Sequence, residues 1–314
     1  MDISIIIPLL NEEESLNELS QKIDSVLSKR SFLYETIFID DGSTDDSWNV
    51  IKNLAANNSN IRGIKFLRNF GKSQALHAGF NASLGNIVFT MDADLQDDPK
   101  EIPEMYDLMI NQNFDLISGW KKQRFDPIFT KNLPSKLFNA CARITSGIKL
   151  NDFNCGLKAY KKKVVKSINV YGEMHRYIPI LASNEGFKKI GEKIIKHRPR
   201  KYGQTKFGMN RFSHGFLDLI TIWFLSKFGK RPMHFFGGIG AIMLIIGFSF
   251  ALYLGIDKLY LNPNSRLITE KPEFFISLTT MILGSQFFVA GFIGEMITRN
   301  NKEKKQYTIE KLIN

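Results

Sequence analysis

Apolar residues in the first 120 positions gather in short β-rich runs, at 3–8, 36–40, 61–67, 87–92 and 114–118. Between them the apolar positions change to helical spacing, as at Leu16, Leu19, Ile23, Val26 and Leu27, behind Asn11 as the expected N-cap. Three glutamates, Glu12 to Glu14, sit where a first helical turn favours acids. Strands alternating with helices predict βαβ units and an α/β domain with a mostly parallel sheet. Ligands of such sheets collect beyond the carboxyl ends of the strands. Polar clusters do follow the runs: P-L-L-N-E-E at 8–13, D-D-G-S-T-D at 40–45, R-N-F-G-K at 68–72 and M-D-A-D-L-Q-D-D-P at 91–99.

The pattern changes beyond residue 230. Residues 233–256 and 274–297 are each 24 long and almost uncharged, with Glu295 and His234 as their ionisable acid and base. As helices each spans about 36 Å, enough to cross a hydrocarbon core of about 30 Å. Lys227, Lys230 and Arg231 precede the first span and Arg299, Lys302, Lys304 and Lys305 follow the second, which predicts that both termini are cytoplasmic. The apolar stretch at the N-terminus is short and has no basic region before it, so it does not read as a signal peptide. Before the spans, Phe216, Leu219, Ile220, Trp223 and Phe224 form a helix-spaced stripe that predicts an amphipathic helix at the membrane interface. The expected organisation is a cytosolic domain at 1–210, the amphipathic helix at 211–231, a two-helix membrane region at 232–298 and a basic cytoplasmic tail at 299–314.

Composition adds a choice of partner. With 44% hydrophobic and 23% charged residues the chain is of folded type. Cys141 and Cys155 have no metal-type spacing, so neither a disulfide nor a zinc site is expected. The net charge of +11 is concentrated in residues 188–211, where nine Lys or Arg stand against one Glu just before the membrane segments. That placement favours an anionic lipid or lipid surface over nucleic acid.

Four aspartates within 91–99, directly behind an apolar run, call for a cation, because unpaired carboxylates repel one another and resist desolvation. In an extended chain Asp92 and Asp94 share a face, and Gln96 continues the alternation. These oxygen ligands suit Mg²⁺ or Mn²⁺, which keeps water and takes substrate phosphates. No GxxxxGK[ST] or GxGxxG motif follows the strands, so neither a P-loop nor a dinucleotide fingerprint is supported.

The ordered motifs P-L-L-N-E-E-E at 8–14, D-D-G-S-T-D at 40–45, R-N-F-G-K at 68–72, D-A-D-L-Q-D at 92–97 and D-F-N-C-G-L-K-A-Y at 152–160 resemble family 2 glycosyltransferases. Over essentially the whole chain the resemblance is to the polyprenyl-phosphate glycosyltransferases, the group of dolichol-phosphate mannosyltransferase and bacterial undecaprenyl-phosphate glucosyltransferases. It implies a Rossmann-like GT-A domain, a nucleotide-sugar donor and inverting transfer to a polyprenyl phosphate such as undecaprenyl phosphate at the cytoplasmic membrane. Carried over, the nucleotide-sugar pocket falls on Pro8, Leu10, Glu12, Ile39, Asp41, Asp92 and Ala93. Asp92, Asp94 and Gln96 hold the metal, and Asp94 and Asp152 are the catalytic candidates. Asp152 matches the family's base, although a phosphate monoester with a second pKa of about 6 needs little deprotonation at pH 7. Lys121, Lys122, Arg124, Lys131 and Ser135 supply candidates for the acceptor phosphate. So do Arg200 and Lys206 in R-K-Y-G-Q-T-K, which resembles the family's R-x-x-G-x-S-K with Thr205 for Ser. From these, Arg124, Lys131, Arg200 and Lys206 are the chosen cations.

The two-span architecture favours glucose from UDP-glucose. Mannose from GDP-mannose, N-acetylhexosamine, galactose and aminoarabinose remain open, because motifs do not show which side chains read the sugar hydroxyls. A processive polysaccharide synthase would carry Q-x-x-R-W and further spans, which are missing. A catalytically inactive membrane-tethered scaffold is the rival from another class. Family precedent implies a homotetramer, with Gly237-x-x-x-Ala241 and Ala290-x-x-x-Gly294 as spacings that let helices approach closely.

Overall fold

The computed structural model describes residues 1–122, 139–140, 142–144, 146–172, 174–199, 201–202, 224, 227–228, 231–300 and 309–313. Arg124, Lys131, Ser135, Arg200, Lys206 and nearly all of the amphipathic stripe lie outside them. The chain divides into two compact units, residues 1–222 with 305–314 and residues 223–304.

In the first unit the strands are β1 (Ile3–Leu9), β2 (Tyr34–Asp40), β3 (Ile61–Phe66), β4 (Ile87–Thr90), β5 (Leu116–Trp120), β6 (Lys158–Lys161), β7 (Ile190–Ile194) and β8 (Ile309–Ile313). They form one eight-stranded sheet in the order β7-β5-β6-β4-β1-β2-β3-β8. Pairing is parallel from β4 through β1 and β2 to β3 and again between β5 and β7; β6 and β8 run antiparallel to their neighbours. Every residue of β1 and β2 is buried, as expected for central parallel strands covered on both faces. One face packs on α1 (Glu13–Leu27), α2 (Ser47–Asn57) and α4 (Ile102–Asn111), through Leu16, Leu19, Ile51 and Met105 against Ile5, Ile7, Phe38 and Phe89. The other packs on α3 (Lys72–Ala82), α5 (Lys162–Ser167) and α6 (Ile178–Asn184), through Leu76, Phe80, Val164 and Ile178 against Ile6, Ile39 and Val88.

Three features depart from the sequence-based expectations. Asn11 does not cap α1, whose N-cap is Glu12 without a side-chain cap bond. Instead Asn11 takes a left-handed φ of 51° and its Oδ1 accepts from the Thr44 N–H at 2.8 Å, joining two loops. The fourth strand ends at Thr90, two residues early, because the chain turns at Ala93 and Asp94. The tail does not stay a tail: its last residues form β8 against β3, and Ile313 packs on the α1 side of the core. An added strand covers backbone groups that β3 would leave unpaired at the sheet edge.

The second unit is a helical hairpin of α7 (Pro232–Ile256), continued by a turn over Asp257–Leu261, and α8 (Pro272–Asn300). Both helices are long and apolar enough to cross a membrane, with mean hydropathies of 2.3 and 1.7, and only 17% of each apolar window is buried. Side chains such as Ile245, Phe248, Ile276 and Phe292 point outward, which a soluble core helix would not allow. Glycines set the packing between them. A Cβ on Gly240 would meet the Gly284 carbonyl oxygen at 2.6 Å, one on Gly284 the Gly240 oxygen at 2.9 Å, and one on Gly291 the Gly237 nitrogen at 2.9 Å. Gly294 likewise packs on Pro232. Of the small-residue spacings, Gly237 and Gly294 thus pack inside the hairpin, whereas Ala290 is exposed.

The turn after β2 has a strict requirement. Gly42 has φ 76°, and a Cβ there would lie 2.4 Å from the Arg68 carbonyl carbon. Gly42→Ala is expected to lower stability by about 1–3 kcal/mol, from the left-handed backbone and the clash together. Urea denaturation of the detergent-solubilised chain checks this, and an unchanged midpoint would contradict it.

Candidate active site

The carboxyl ends of β1, β2 and β4 lie side by side in the sheet and bring three polar loops to one edge. The loops after β1 and β2 are laced together by hydrogen bonds. The Asn11 N–H donates to Ser43 Oγ at 2.8 Å, Glu12 N–H to Ser47 Oγ at 3.0 Å, and Asp46 N–H to Glu13 Oε2 at 2.6 Å. Asp41 adds the loop after β3, since its two oxygens accept from the N–H groups of Phe70 at 2.7 Å and Gly71 at 2.9 Å. Burial pushes the Asp41 carboxyl up to about 6, against those two hydrogen bonds.

Beyond β4, Asp92 and Asp94 do not share an extended strand. Asp94 Oδ1 accepts from the Gln96 N–H at 3.1 Å, an Asx-type turn that sends Leu95 into a left-handed φ of 60° and buries it in the core. Asp94 is 8% exposed, oriented by that turn. Asp92 pairs instead with the Lys72 ammonium at the start of α3. Burial alone would raise its carboxyl, but Lys72, Lys121 and Lys158 outweigh burial and hold it below the usual carboxylate range. Its carboxylate rests on Gly156, where a Cβ would stand 2.5 Å from Asp92 Oδ2.

Below Asp92 lies a cavity of about 20 Å³, walled by Pro8, Lys72, Lys158, His175 and Arg176 among others. Lys158 is buried at 3% exposure and its ammonium donates to the Cys155 carbonyl. Burial, first of all, lowers its pKa. Burial likewise lowers the pKa of the His175 imidazole, and the His175 backbone N–H donates to Ser73 Oγ at 3.0 Å. A second cavity, of about 120 Å³, lies between Glu12, Glu13, Asp45 and Tyr202.

Other expected site residues are placed less openly. Ile39 is wholly buried in the α3-side core and Ala93 in the α1-side core, so their side chains build the wall from within. Asp152 is 1% exposed, with Oδ1 accepting from the Asn154 N–H at 3.0 Å. Lys121 does not reach out for a ligand. It turns under the loop to Asp97 at 2.7 Å, and Asp97 raises its pKa against the effect of burial. Lys158, His175, Arg176, His197 and Arg198 are not site candidates in the sequence; His175, His197 and Arg198 meet Ser73, Asp97 and Asp98 about 100 positions away, while Lys158 falls inside the motif at 152–160 and Arg198 inside the basic segment at 188–211.

Among the described residues, no group of three or more His, Cys, Asp and Glu is gathered for a metal. Asp94 and Gln96 nevertheless fit a hard divalent cation. Both offer oxygen, Asp94 is pre-oriented by its turn, and Mg²⁺ or Mn²⁺ typically takes few protein ligands and completes its shell with water and phosphate oxygens. Asp92, held by Lys72, lies outside that pair in this structure.

Because the folded chain holds the Asp41 proton more tightly than a carboxyl at 3.8, this group adds stability as pH falls from about 6 toward 4, and that gain is absent at pH 7. Wild type should therefore gain on Asp41→Asn between about pH 7 and about pH 4.5 in urea denaturation. A level difference, or one of opposite sign, would show that burial does not dominate at Asp41.

The Glycosyl transferase family 2 model matches residues 4–168. Dodecaprenyl-phosphate galacturonate synthase of Rhizobium johnstonii is 34% identical over 301 residues, 95% of this chain and 88% of that protein. Undecaprenyl-phosphate 4-deoxy-4-formamido-L-arabinose transferase of Klebsiella pneumoniae is 30% identical over 315 residues, 99% of this chain and 93% of its own. Among solved structures, glucosyl-3-phosphoglycerate synthase from Mycobacterium tuberculosis aligns with a TM-score of 0.55 at 21% identity, covering 72% of this chain and 79% of that one. The same enzyme crystallised with Mn²⁺, UDP-glucose and phosphoglyceric acid aligns with a TM-score of 0.54 at 21% identity, covering 70% and 80%. These neighbours share the GT-A fold, and at the level of sequence this chain belongs to glycosyl transferase family 2, alongside relatives named for sugar transfer to polyprenyl phosphates.

Proposed function

We propose that this protein transfers a sugar from a nucleotide donor to a polyprenyl phosphate, with Mg²⁺ or Mn²⁺, at the cytoplasmic face of a membrane. The observation that carries the reading is the Asp94–Gln96 turn at the carboxyl edge of the sheet, beside a cation-walled cavity, in a chain that also has two membrane-length helices. Pro8, Leu10 and Glu12 border the nucleotide, and Asp41 accepts from its base. Asp94 and Gln96 hold the metal, which when bound neutralises charge on the departing nucleoside diphosphate. Asp92 and Lys72 form the adjoining wall, where Lys72 can exchange its carboxylate partner for a donor oxygen. Buried Asp152 orients its loop and the sugar, and the acceptor phosphate, already largely dianionic, attacks without needing a strong base. Arg124, Lys131, Ser135, Arg200 and Lys206 hold that phosphate.

The membrane setting follows from the acceptor. An isoprenoid chain leaves the bilayer at high cost, so its phosphate must be met at the surface. Basic flanks favour cytoplasmic termini. The pairing of β8 with β3 agrees, since a strand shares the aqueous compartment of the sheet it joins and two crossings return the chain to its starting side.

For the donor sugar, the two-span architecture taken alone favours glucose. Galacturonate is named in the Rhizobium relative, 34% identical to this chain, which favours an acidic sugar. A nucleotide hexuronate is therefore the preferred donor.

Purified protein should release nucleoside diphosphate from one member of a panel, UDP-galacturonate, UDP-glucose, a UDP-aminoarabinose derivative and GDP-mannose, only with Mn²⁺ and undecaprenyl phosphate both present. Preference for UDP-glucose would remove the hexuronate reading and keep the reaction. No release from any donor, with nucleotide still bound, would replace the enzyme with a scaffold. Gly156→Ala, which displaces the Asp92 carboxylate, should slow transfer by on the order of 100-fold while the melting temperature stays near wild type; unaltered turnover would mean that the position of Asp92 is not needed.

A further inference from the structure

The loop that carries Asp94 and Gln96 is gripped from one side by a segment distant in sequence. After β7, Ile195 is anchored in the α1-side core and its N–H donates to the Trp120 carbonyl at 3.0 Å. The chain then runs antiparallel to the metal loop. His197 bridges to Asp97, the Arg198 N–H donates to the Gln96 carbonyl at 2.9 Å, and the Gln96 side-chain amide reaches the Arg198 carbonyl at 3.5 Å. The Arg198 guanidinium donates to Asp98 Oδ2 at 2.6 Å, while Asp98 Oδ1 accepts from the Lys100 N–H at 3.2 Å and so starts the turn that leads into α4. Residues 96, 97 and 98 are thus each tied to 197–198. Three and four residues beyond Arg198, Lys201 and Tyr202 bond to Glu18 of α1 at 2.7 and 3.2 Å. This strap is tied at residues 197–198 to the metal loop and at residues 201–202 to the helix that follows the nucleotide loop.

We infer that Arg198 is a positioning residue that sets the geometry of the metal loop, so that metal affinity depends on the strap as well as on Asp94 and Gln96. The inference rests on the proposed glycosyl transfer for its metal. Arg198 touches neither the ion nor the reacting atoms. It fixes Gln96 through the backbone and Asp98 through the side chain, on either side of the buried Asp97–Lys121 pair. With the guanidinium removed, the loop keeps the Lys121 pair and the backbone bonds to residues 197–198 but loses the ion pair that holds Asp98. Residues that orient metal ligands from the outer shell typically change metal affinity by 10- to 100-fold.

The test uses the full-length protein in mild detergent with UDP present, and reads Mn²⁺ binding from the loss of the free-ion electron paramagnetic resonance signal. Arg198→Ala and Asp98→Asn should each weaken Mn²⁺ binding by about tenfold, the double variant should be no worse than either, and Arg198→Lys should restore part of the loss. UDP binding without metal should stay at the wild-type value, which separates positioning from general damage to the fold. Unchanged Mn²⁺ affinity in Asp98→Asn, or losses that add in the double variant, would overturn the inference while leaving the proposed reaction standing. If wild type itself binds no Mn²⁺ with UDP, the metal-dependent reaction fails and the inference fails with it.

Discussion

Carboxylates crowded at the end of a buried strand must each be matched by a cation, and most of the architecture at the carboxyl edge serves that match. Asp92 has Lys72, Asp97 has Lys121 and Asp98 has Arg198. The three cations come from the start of α3, from the residue after β5 and from the segment after β7, so one short loop draws together three separate parts of the chain. The Asp97–Lys121 pair is the most enclosed, with Asp97 at 2% exposure. Removing one member of such a pair leaves a buried charge alone, which typically costs about 3–5 kcal/mol. Asp94 is oriented differently, by the turn in which its Oδ1 accepts from the Gln96 N–H.

The nucleotide side is built on a different principle. There the loops after β1, β2 and β3 are joined mainly by backbone N–H groups donating to side-chain oxygens, from Asn11 and Glu12 to Ser43 and Ser47, and from Phe70 and Gly71 to Asp41. Neutral or singly charged acceptors fix a surface without creating a strong local field. The field is reserved for the neighbouring edge around Asp92, where phosphate charge has to be handled.

Much of this was legible in the sequence, for physical reasons that differ by element. The parallel strands from β1 to β5 were found because central strands covered on both faces must be continuously apolar, and the polar loops followed because ligand sites lie beyond their ends. Family motifs then pointed to Asp92, Asp94 and Gln96. The alternation argument for those residues was wrong in detail, since it assumed an extended chain where Asp94 makes a turn and Leu95 goes left-handed. Lys121 reads from sequence as a candidate for the acceptor phosphate because no rule of spacing relates it to Asp97, 24 positions earlier but adjacent in the fold. β6, reversed between β4 and β5, and β8, reversed beside β3, were invisible for the same reason. Their place is decided by which edges are open once the parallel strands have assembled.

The position of β8 orders events during synthesis. Its partner β3 ends at Phe66, but β8 begins at Ile309, beyond both membrane-length helices. As the chain leaves the ribosome, the edge of β3 has no such partner until the hairpin has been made. Pairing of β8 with β3 can therefore form only after both helices of the hairpin have been synthesised, so the sheet of the first unit is completed late. A chain that stalls before that point presents an open strand edge, the kind of surface that quality control reads as unfinished.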